Sequence, residues 1–226
     1  MCGGYTVTKS IDKLEKRFNA KFKGASFGPR YNARPSQNLP IILNTDKGNI
    51  ILAHWGLKPH WEKEKGAKEI INARAESYGK PTFQKAFLER RCLVPADGFY
   101  EWVKTPKGKQ PFYFKLKSWE LFAFAGIYDA DKEKEGMFRY SIITTEPNKM
   151  ISLVHDRMPV ILNPKNELSW LDKELPIEEI LKILVPYPDS TMTFDPVSKK
   201  VSSPLFDSED LVMPIVLNSK TIVPYQ

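Results

Sequence analysis

Residues 92–102, CLVPADGFYEW, contain two apolar runs on either side of Ala-Asp-Gly. Val94, Phe99 and Tyr100 are residue types that fit a pleated, half-buried surface, so the two runs are predicted as neighbouring strand pieces. Apolar runs or alternation further along the chain predict more strands, over residues 41–44, 49–55, 111–116, 121–127 and 138–144.

Helices are fewer and shorter than strands in this pattern. Apolar residues at helical spacing predict helices over residues 10–22, 82–89, 168–171 and 177–184. Residues 27–40 are rich in proline and asparagine and are predicted as a loop, and the tail after residue 185 is expected to run in extended pieces. No repeat or linker divides the sequence, so we expect one α+β domain, residues 1–226, rich in antiparallel strands.

Composition narrows the class of protein. Lysine and arginine number 34 against 27 acidic residues, a net charge of +7 that favours a polyanionic partner such as nucleic acid. Cys2 and Cys92 are the only cysteines, which favours a reducing compartment, and we expect a cytoplasmic protein, associated with the nucleoid if bacterial. No apolar run is long enough to span a membrane, and no interface signature argues against a monomer.

Cys2 follows the initiator methionine, which is normally removed before a small residue. The mature chain would then begin with a cysteine whose amine and thiol titrate near ~7.7–8.0 and ~8.5. An amine attacks an aldehyde to give a Schiff base, and the adjacent thiol can close the ring to a thiazolidine. Position alone favours the simpler interpretation, that Cys2 is an ordinary terminal residue.

Three further residues are candidates for proton transfer and orientation. Glu101 has aromatic neighbours that predict a partly desolvated carboxyl group with a raised pKa. His155 lies between an apolar pair and an Asp-Arg pair that offer hydrogen-bond partners. Asn72 provides both a donor and an acceptor at the end of a predicted strand. Each has an ordinary structural alternative: an edge-strand glutamate, a core histidine and a solvated strand end.

Arg74 and Trp61 fit a nucleic-acid surface. Arginine suits bidentate contact with phosphate, and aromatic side chains among basic residues can stack on bases. No Cys-x-x-Cys pair, histidine pair at ligand spacing, P-loop or dinucleotide fingerprint is present, so we expect neither a metal nor a cofactor.

Taken together, these segments resemble the SRAP family, the SOS-response-associated peptidase-like proteins that crosslink to abasic sites in DNA. The resemblance covers residues 2 to about 203, and it rests on an ordered series of motifs: MCG at 1–3, YN at 31–32, WGLKPHW at 55–61, INARAE at 71–76, DGFYEW at 97–102, HDRMP at 155–159 and DPVS at 195–198.

The resemblance implies an α+β fold with a mostly antiparallel, barrel-like β core flanked by short helices. It also implies single-stranded DNA containing abasic sites as the partner, and a thiazolidine crosslink through Cys2 to the aldehyde of the ring-opened sugar. The matching positions give Glu101 and His155 as proton carriers and Asn72 as the residue that orients Cys2 and the sugar. They give Arg74, Arg157 and Trp61 as DNA contacts.

The chain departs from the family pattern at two places. The family usually carries arginine where this chain has Gly4, so that Arg30, Arg34 or a lysine would have to supply the charge. Ser202-Ser203 replaces a frequent pair of asparagines. Three other functions are left open: an N-terminal-nucleophile glutamine amidotransferase using Cys2, a peptidase, and a module that binds single-stranded DNA without covalent chemistry.

Overall fold

The computed structural model describes residues 3–58, 68–106 and 108–217. The strands in these ranges are β1 (Tyr5–Val7), β2 (Lys21–Lys23), β3 (Arg30–Ala33), β4 (Asn38–Leu43), β5 (Asp46–Trp55), β6 (Asn72–Arg74), β7 (Arg91–Ala96), β8 (Gly98–Thr105), β9 (Gly108–Leu116), β10 (Phe122–Ala130), β11 (Phe138–Thr145), β12 (Met158–Pro159) and β13 (Met192–Pro196). The α-helices are α1 (Ile11–Phe18), α2 (Pro81–Glu89), α3 (Glu167–Trp170) and α4 (Ile177–Ile183).

Five strands close into a barrel in the order β11-β10-β7-β4-β5. The pairs inside this series are antiparallel, and the closing pair between β5 and β11 is parallel, with Trp55 opposite Tyr140. Closure removes the free edges between these strands and surrounds a core that contains Trp55, Phe124 and Tyr140. The predicted α+β fold with a barrel-like β core is confirmed.

A second, antiparallel sheet packs against the barrel, in the order β13-β9-β8-β1-β3. Tyr5 contacts Trp55 with ring centroids 5.1 Å apart, and Phe99 contacts Phe124 at 6.0 Å. Side chains alternate along a strand, so Glu101 faces the barrel together with Phe99. This register, rather than local sequence, sets the orientation of the Glu101 carboxyl group.

The first helix is shorter than its predicted range of 10–22. Asn19 adopts a left-handed conformation with φ 49°, which ends α1 at Phe18. The following residues then pair in parallel with β5 as β2, with Phe22 opposite Ile50. The predicted helix was too long because Phe22 continues the helical spacing of apolar residues but lies in the strand β2.

The predicted loop over residues 27–40 is wrong in part. It contains β3, which pairs with β1, and the first residues of β4, which pair with β5. The sequence of β3, Arg-Tyr-Asn-Ala, has neither an apolar run nor alternation, because the strand sits at a sheet edge where polar side chains bind a neighbouring loop.

Within the described ranges, the helices are too short and too polar to cross a membrane.

Gly98 allows two strands to approach closely, and alanine at this position is expected to destabilise the protein by about 1–3 kcal/mol. An added Cβ would lie 2.2 Å from the Tyr113 hydroxyl, which itself contacts the Thr6 hydroxyl at 2.9 Å. Denaturant unfolding measures the change. The matched control is Gly79→Ala, where an added Cβ meets nothing within 4 Å. Equal stability of the two variants would contradict this packing argument.

Candidate active site

The start of the described chain lies against β8. The backbone N–H of Tyr100 donates to the Gly4 carbonyl at 3.0 Å, and Tyr5 is paired with Phe99. Continuing this antiparallel register brings Gly3 level with Glu101. Cys2, which precedes Gly3 in the sequence, lies outside the described residues.

Glu101 is a buried carboxyl group with an exposed fraction of 2%. Burial is the main reason that its pKa rises from 4.5 to about 7, and the negative charge of Asp156 acts in the same direction. A carboxyl group with such a pKa exchanges protons readily near neutral pH. The desolvation predicted for Glu101 is therefore observed.

Asp156 lies close enough to Glu101 for its charge to raise the pKa of that carboxyl group, so the segment that contains His155 lies near Glu101. His155 Nδ1 lies 3.0 Å from the backbone nitrogen of Arg157 and 2.8 Å from Asp156 Oδ1. A backbone N–H can only donate, so Nδ1 accepts from Arg157 when the ring is neutral and can donate to Asp156 when it is protonated. Burial lowers the pKa of His155, which favours the neutral ring.

Asn72 and Arg74 lie on β6, a short strand held by its parallel pairing with β11. The two residues point to the same side because they are two positions apart. Asn72 is half-buried, whereas Arg74 is exposed to solvent. The strand thus carries an amide near the barrel end and a solvent-facing cation beside it.

Arg157 is half-buried and binds an exposed carboxylate. Its two terminal nitrogens donate to Glu76 at 2.9 Å each, and one also donates to the Thr144 carbonyl at 2.6 Å. These bonds lower the pKa of Glu76. Arg157 therefore ties its segment to the residues that follow β6.

Arg34 occupies the space beside Gly4. A Cβ at position 4 would lie 3.5 Å from the Arg34 guanidinium, whose Nη1 donates to the Gly3 carbonyl at 3.1 Å. The same guanidinium lies over Trp102 at 5.4 Å, and it also binds the Val201 carbonyl. Of the basic residues considered as replacements for arginine at position 4, Arg34 is adjacent, whereas Arg30 is paired with Asp207 at 3.0 Å.

Asn32 fixes the loop that contains Ser202-Ser203. Its side-chain amide donates to the carbonyls of Val201, Ser203 and Phe206 at 3.2, 3.1 and 2.9 Å. Its oxygen accepts from Arg34 Nε at 2.7 Å. Asn32 thus joins this loop to the residue that holds Gly3, a role that the sequence did not reveal.

Trp61, predicted as a DNA contact, also lies outside the described residues. Among the side chains that are described, no group of three or more His, Cys, Asp and Glu is placed to hold a metal ion. The described part of the site contains a buried carboxyl group at Glu101, beside the start of the chain, and His155, whose pKa is lowered by burial. Asn72 lies on another strand, β6.

The chain belongs to the SOS response associated peptidase (SRAP) family, whose model matches residues 1–204. This confirms the resemblance drawn from the ordered motifs.

Individual relatives extend the match to nearly the whole chain. It is similar to the abasic site processing protein YoqW of Bacillus subtilis, with 41% identity covering 94% of this chain and 99% of the relative. It is also similar to the abasic site processing protein HMCES of Gallus gallus, with 31% identity covering 84% of this chain and 68% of the relative. A crystal structure of a protein from Bacteroides thetaiotaomicron shares the fold, with a TM-score of 0.85, 24% identity, and coverage of 95% and 100% of the two chains.

Proposed function

We propose that this protein processes abasic sites in single-stranded DNA by forming a covalent crosslink through Cys2. The names of the relatives in Bacillus subtilis and Gallus gallus support the substrate class. The observation that carries the chemistry is Glu101: a buried carboxyl group with a pKa of about 7, on the strand that pairs with the beginning of the chain.

The proposed reaction begins with the α-amine of Cys2 after removal of Met1. The amine adds to the aldehyde of the ring-opened sugar, and loss of water gives a Schiff base. The thiol then adds to the carbon of the C=N bond and the nitrogen takes up a proton, which closes a thiazolidine. Water is the only product released, and no oxidant or reductant is needed.

Three of the described residues take the proton-transfer and orienting roles in this reaction. Glu101 exchanges protons with the amine and with the departing water, since its pKa lies near the working pH. His155 helps to open the sugar ring, with Asp156 placed to stabilise the protonated imidazole. Asn72 orients the sugar and Cys2 by hydrogen bonds.

DNA contacts are proposed for Arg74, Arg157 and Trp61. Arg74 is exposed and can reach a phosphate as it stands. Arg157 would have to exchange Glu76 for a phosphate, because both terminal nitrogens are engaged by that carboxylate.

A denaturing gel tests the proposal. The purified protein, shown by mass spectrometry to lack Met1, is incubated with a single-stranded oligonucleotide containing one abasic site. We expect a shifted covalent band, and none with intact DNA. Absence of the band with folded, processed protein would refute the proposal. Release of ammonia from free glutamine would favour the amidotransferase, and binding without a covalent band would favour the plain binding module.

Arg34 is expected to act as a positioning residue for this reaction. Arg34→Ala removes the donor to the Gly3 carbonyl, and a small displacement of reacting groups can lower a rate by up to about 100-fold. We expect crosslink formation at least about tenfold slower, measured under single-turnover conditions.

The matched control for Arg34 is Arg30→Ala, which removes a surface ion pair at the start of β3, the strand that Arg34 follows. If both variants crosslink at the wild-type rate, Arg34 has no positioning role. Arg34→Lys, which keeps the charge but not the planar fork, should recover only part of the rate.

A further inference from the structure

A basic groove lies near the end of β9 that is remote from Glu101. The groove has a volume of about 720 Å³, and the lining residues that matter below are Lys9, Lys13, Arg17, Lys117, Trp119 and Tyr187. We refer to it as the Trp119 groove. None of these residues belongs to the site described above.

The strands place the groove well away from Glu101. Phe112 is the β9 partner of Glu101, and β9 ends four residues later at Leu116, about 13 Å away at the rise of a strand. Lys117 follows directly in the turn. Lys9 follows β1 at the end remote from Gly3. The groove and the proposed active site are therefore separate surfaces at opposite ends of the sheet.

The charge of the groove is strongly positive. Four basic residues line it against one acidic residue, Glu120. Among the described ion pairs, Arg17 binds Glu167 at 2.6 Å and none involves Lys9, Lys13 or Lys117. Lys117 Nζ donates to the Ser190 carbonyl at 2.7 Å and keeps its charge.

Of the two cations on α1, Arg17 has a structural role, since it lies in the last turn, where a cation stabilises a helix, and pairs with Glu167. Lys13 lies four residues before Arg17, where a second like charge destabilises a helix by about 0.2–0.5 kcal/mol. Helix stability therefore accounts for Arg17 but not for Lys13, whose position an anionic ligand would explain.

Trp119 adds an aromatic surface to the positive charge. It lies between β9 and β10 with a φ of 58°, a backbone conformation that residues other than glycine rarely adopt. Its side chain has an exposed fraction of 56%. Lys115 Nζ lies 3.7 Å from the ring centroid and covers one face. The indole thus has one face against Lys115, while a large part of its surface is open to solvent.

We propose that the Trp119 groove is a second, non-covalent binding surface for single-stranded nucleic acid. Phosphates would lie against Lys9, Lys13 and Lys117, and one base would stack on Trp119, the combination that sequence-independent strand binding requires. Carboxylates of an acidic peptide would satisfy the lysines but would provide no ring to stack on the open part of the indole. The proposal does not depend on the crosslinking chemistry.

The test measures non-covalent affinity in a Cys2→Ala background. A fluorescently labelled, intact oligothymidine strand is titrated with protein at several salt concentrations, and binding is followed by anisotropy. In the triple variant Lys9→Gln, Lys13→Gln, Lys117→Gln we expect at least about tenfold weaker binding at low salt. We also expect the slope of log affinity against log salt to become shallower by about 2, since each phosphate contact on a single strand contributes about 0.7.

The matched control neutralises three exposed lysines elsewhere, Lys23→Gln, Lys47→Gln and Lys134→Gln, and changes the net charge equally. Equal affinity and equal slope in the two triple variants would overturn the proposal.

Trp119→Ala tests the same groove without altering its charge. Stacking is worth about 1–3 kcal/mol per base, so binding should weaken about fivefold or more with no change in the salt slope. Unchanged affinity in Trp119→Ala would remove the stacking role and contradict the proposal as stated.

A last comparison separates this proposal from the proposed function. The groove triple variant with Cys2 intact should crosslink a short abasic oligonucleotide at the wild-type rate. If no variant crosslinks while the affinity difference persists, the proposed function fails and the groove remains. If crosslinking occurs but the groove variants bind intact strands normally, the groove proposal fails alone.

Discussion

Replacement of Cys2 by alanine or serine is expected to abolish the crosslink that survives a denaturing gel. Both variants keep an α-amine after removal of Met1 and can form a Schiff base, but neither can close a thiazolidine because the thiol is missing. The expected loss is complete in the absence of a reductant.

A reductant makes this prediction sharper. Borohydride converts a Schiff base into a stable amine, so Cys2→Ala and Cys2→Ser should both give a covalent band when it is present during the incubation. Cys92→Ala is the matched cysteine control, since Cys92 is buried and burial raises the pKa of its thiol far above the ordinary value. A stable band in Cys2→Ala without reductant, or its loss in Cys92→Ala with the fold retained, would contradict the assignment.

The strands were largely predictable from sequence, whereas their arrangement was not. Residues 91–96 and 98–105 form β7 and β8 as their aromatic and branched composition indicates. The barrel, however, closes through β5 and β11, whose paired residues His54 and Arg139 are far apart in sequence. No local pattern encodes which distant edge a strand will meet.

The elements that escaped prediction are short and depend on tertiary pairing. β2 has three residues and pairs in parallel with β5, and β1 has three residues and pairs in antiparallel fashion with β3 and β8. Segments of that length carry too little periodicity to distinguish strand from loop, and their backbone conformation is fixed by the neighbouring strand.

In the candidate site too, local features could be predicted from the sequence, whereas contacts between distant residues could not. The aromatic neighbours of Glu101 predicted its desolvation, because they are adjacent in the chain and define a buried strand. The contacts of Arg34 and Asn32 could not be predicted, since their partners Gly3 and Val201 lie far away in the sequence, towards its two ends. Polar residues in a proline-rich segment look like an ordinary loop until those partners are known.

Glu101 is expected to destabilise the folded protein at neutral pH while serving the reaction. Its pKa is about 7 in the folded state against an ordinary value of 4.5, so the folded state binds the proton more tightly than the unfolded state does. The favourable contribution is present in full below about pH 4.5 and is lost as the pH rises through about 7. At about 1.4 kcal/mol per pKa unit, the ionised carboxylate costs the folded state roughly 3 kcal/mol.

Glu101→Gln should therefore separate stability from activity. The amide cannot ionise, so the variant should unfold at higher denaturant concentration than the wild type at about pH 8, and this advantage should shrink towards about pH 5. Crosslink formation should be slower by about 100-fold or more, because proton transfer by a positioned side chain contributes about 10²–10⁴. The control is Glu135→Gln, which removes an exposed carboxylate and should change neither quantity.

The pH dependence of the crosslinking rate completes this prediction. The wild-type rate should show an inflection near pH 7 from Glu101, in addition to one near ~7.7–8.0 from the Cys2 amine. Glutamine at position 101 should remove the first inflection and keep the second, because the amine still has to lose its proton before it attacks. If Glu101→Gln is more stable than the wild type and crosslinks as fast, the buried carboxyl group destabilises the fold without taking part in the reaction. His155 would then be the remaining candidate for the proton carrier.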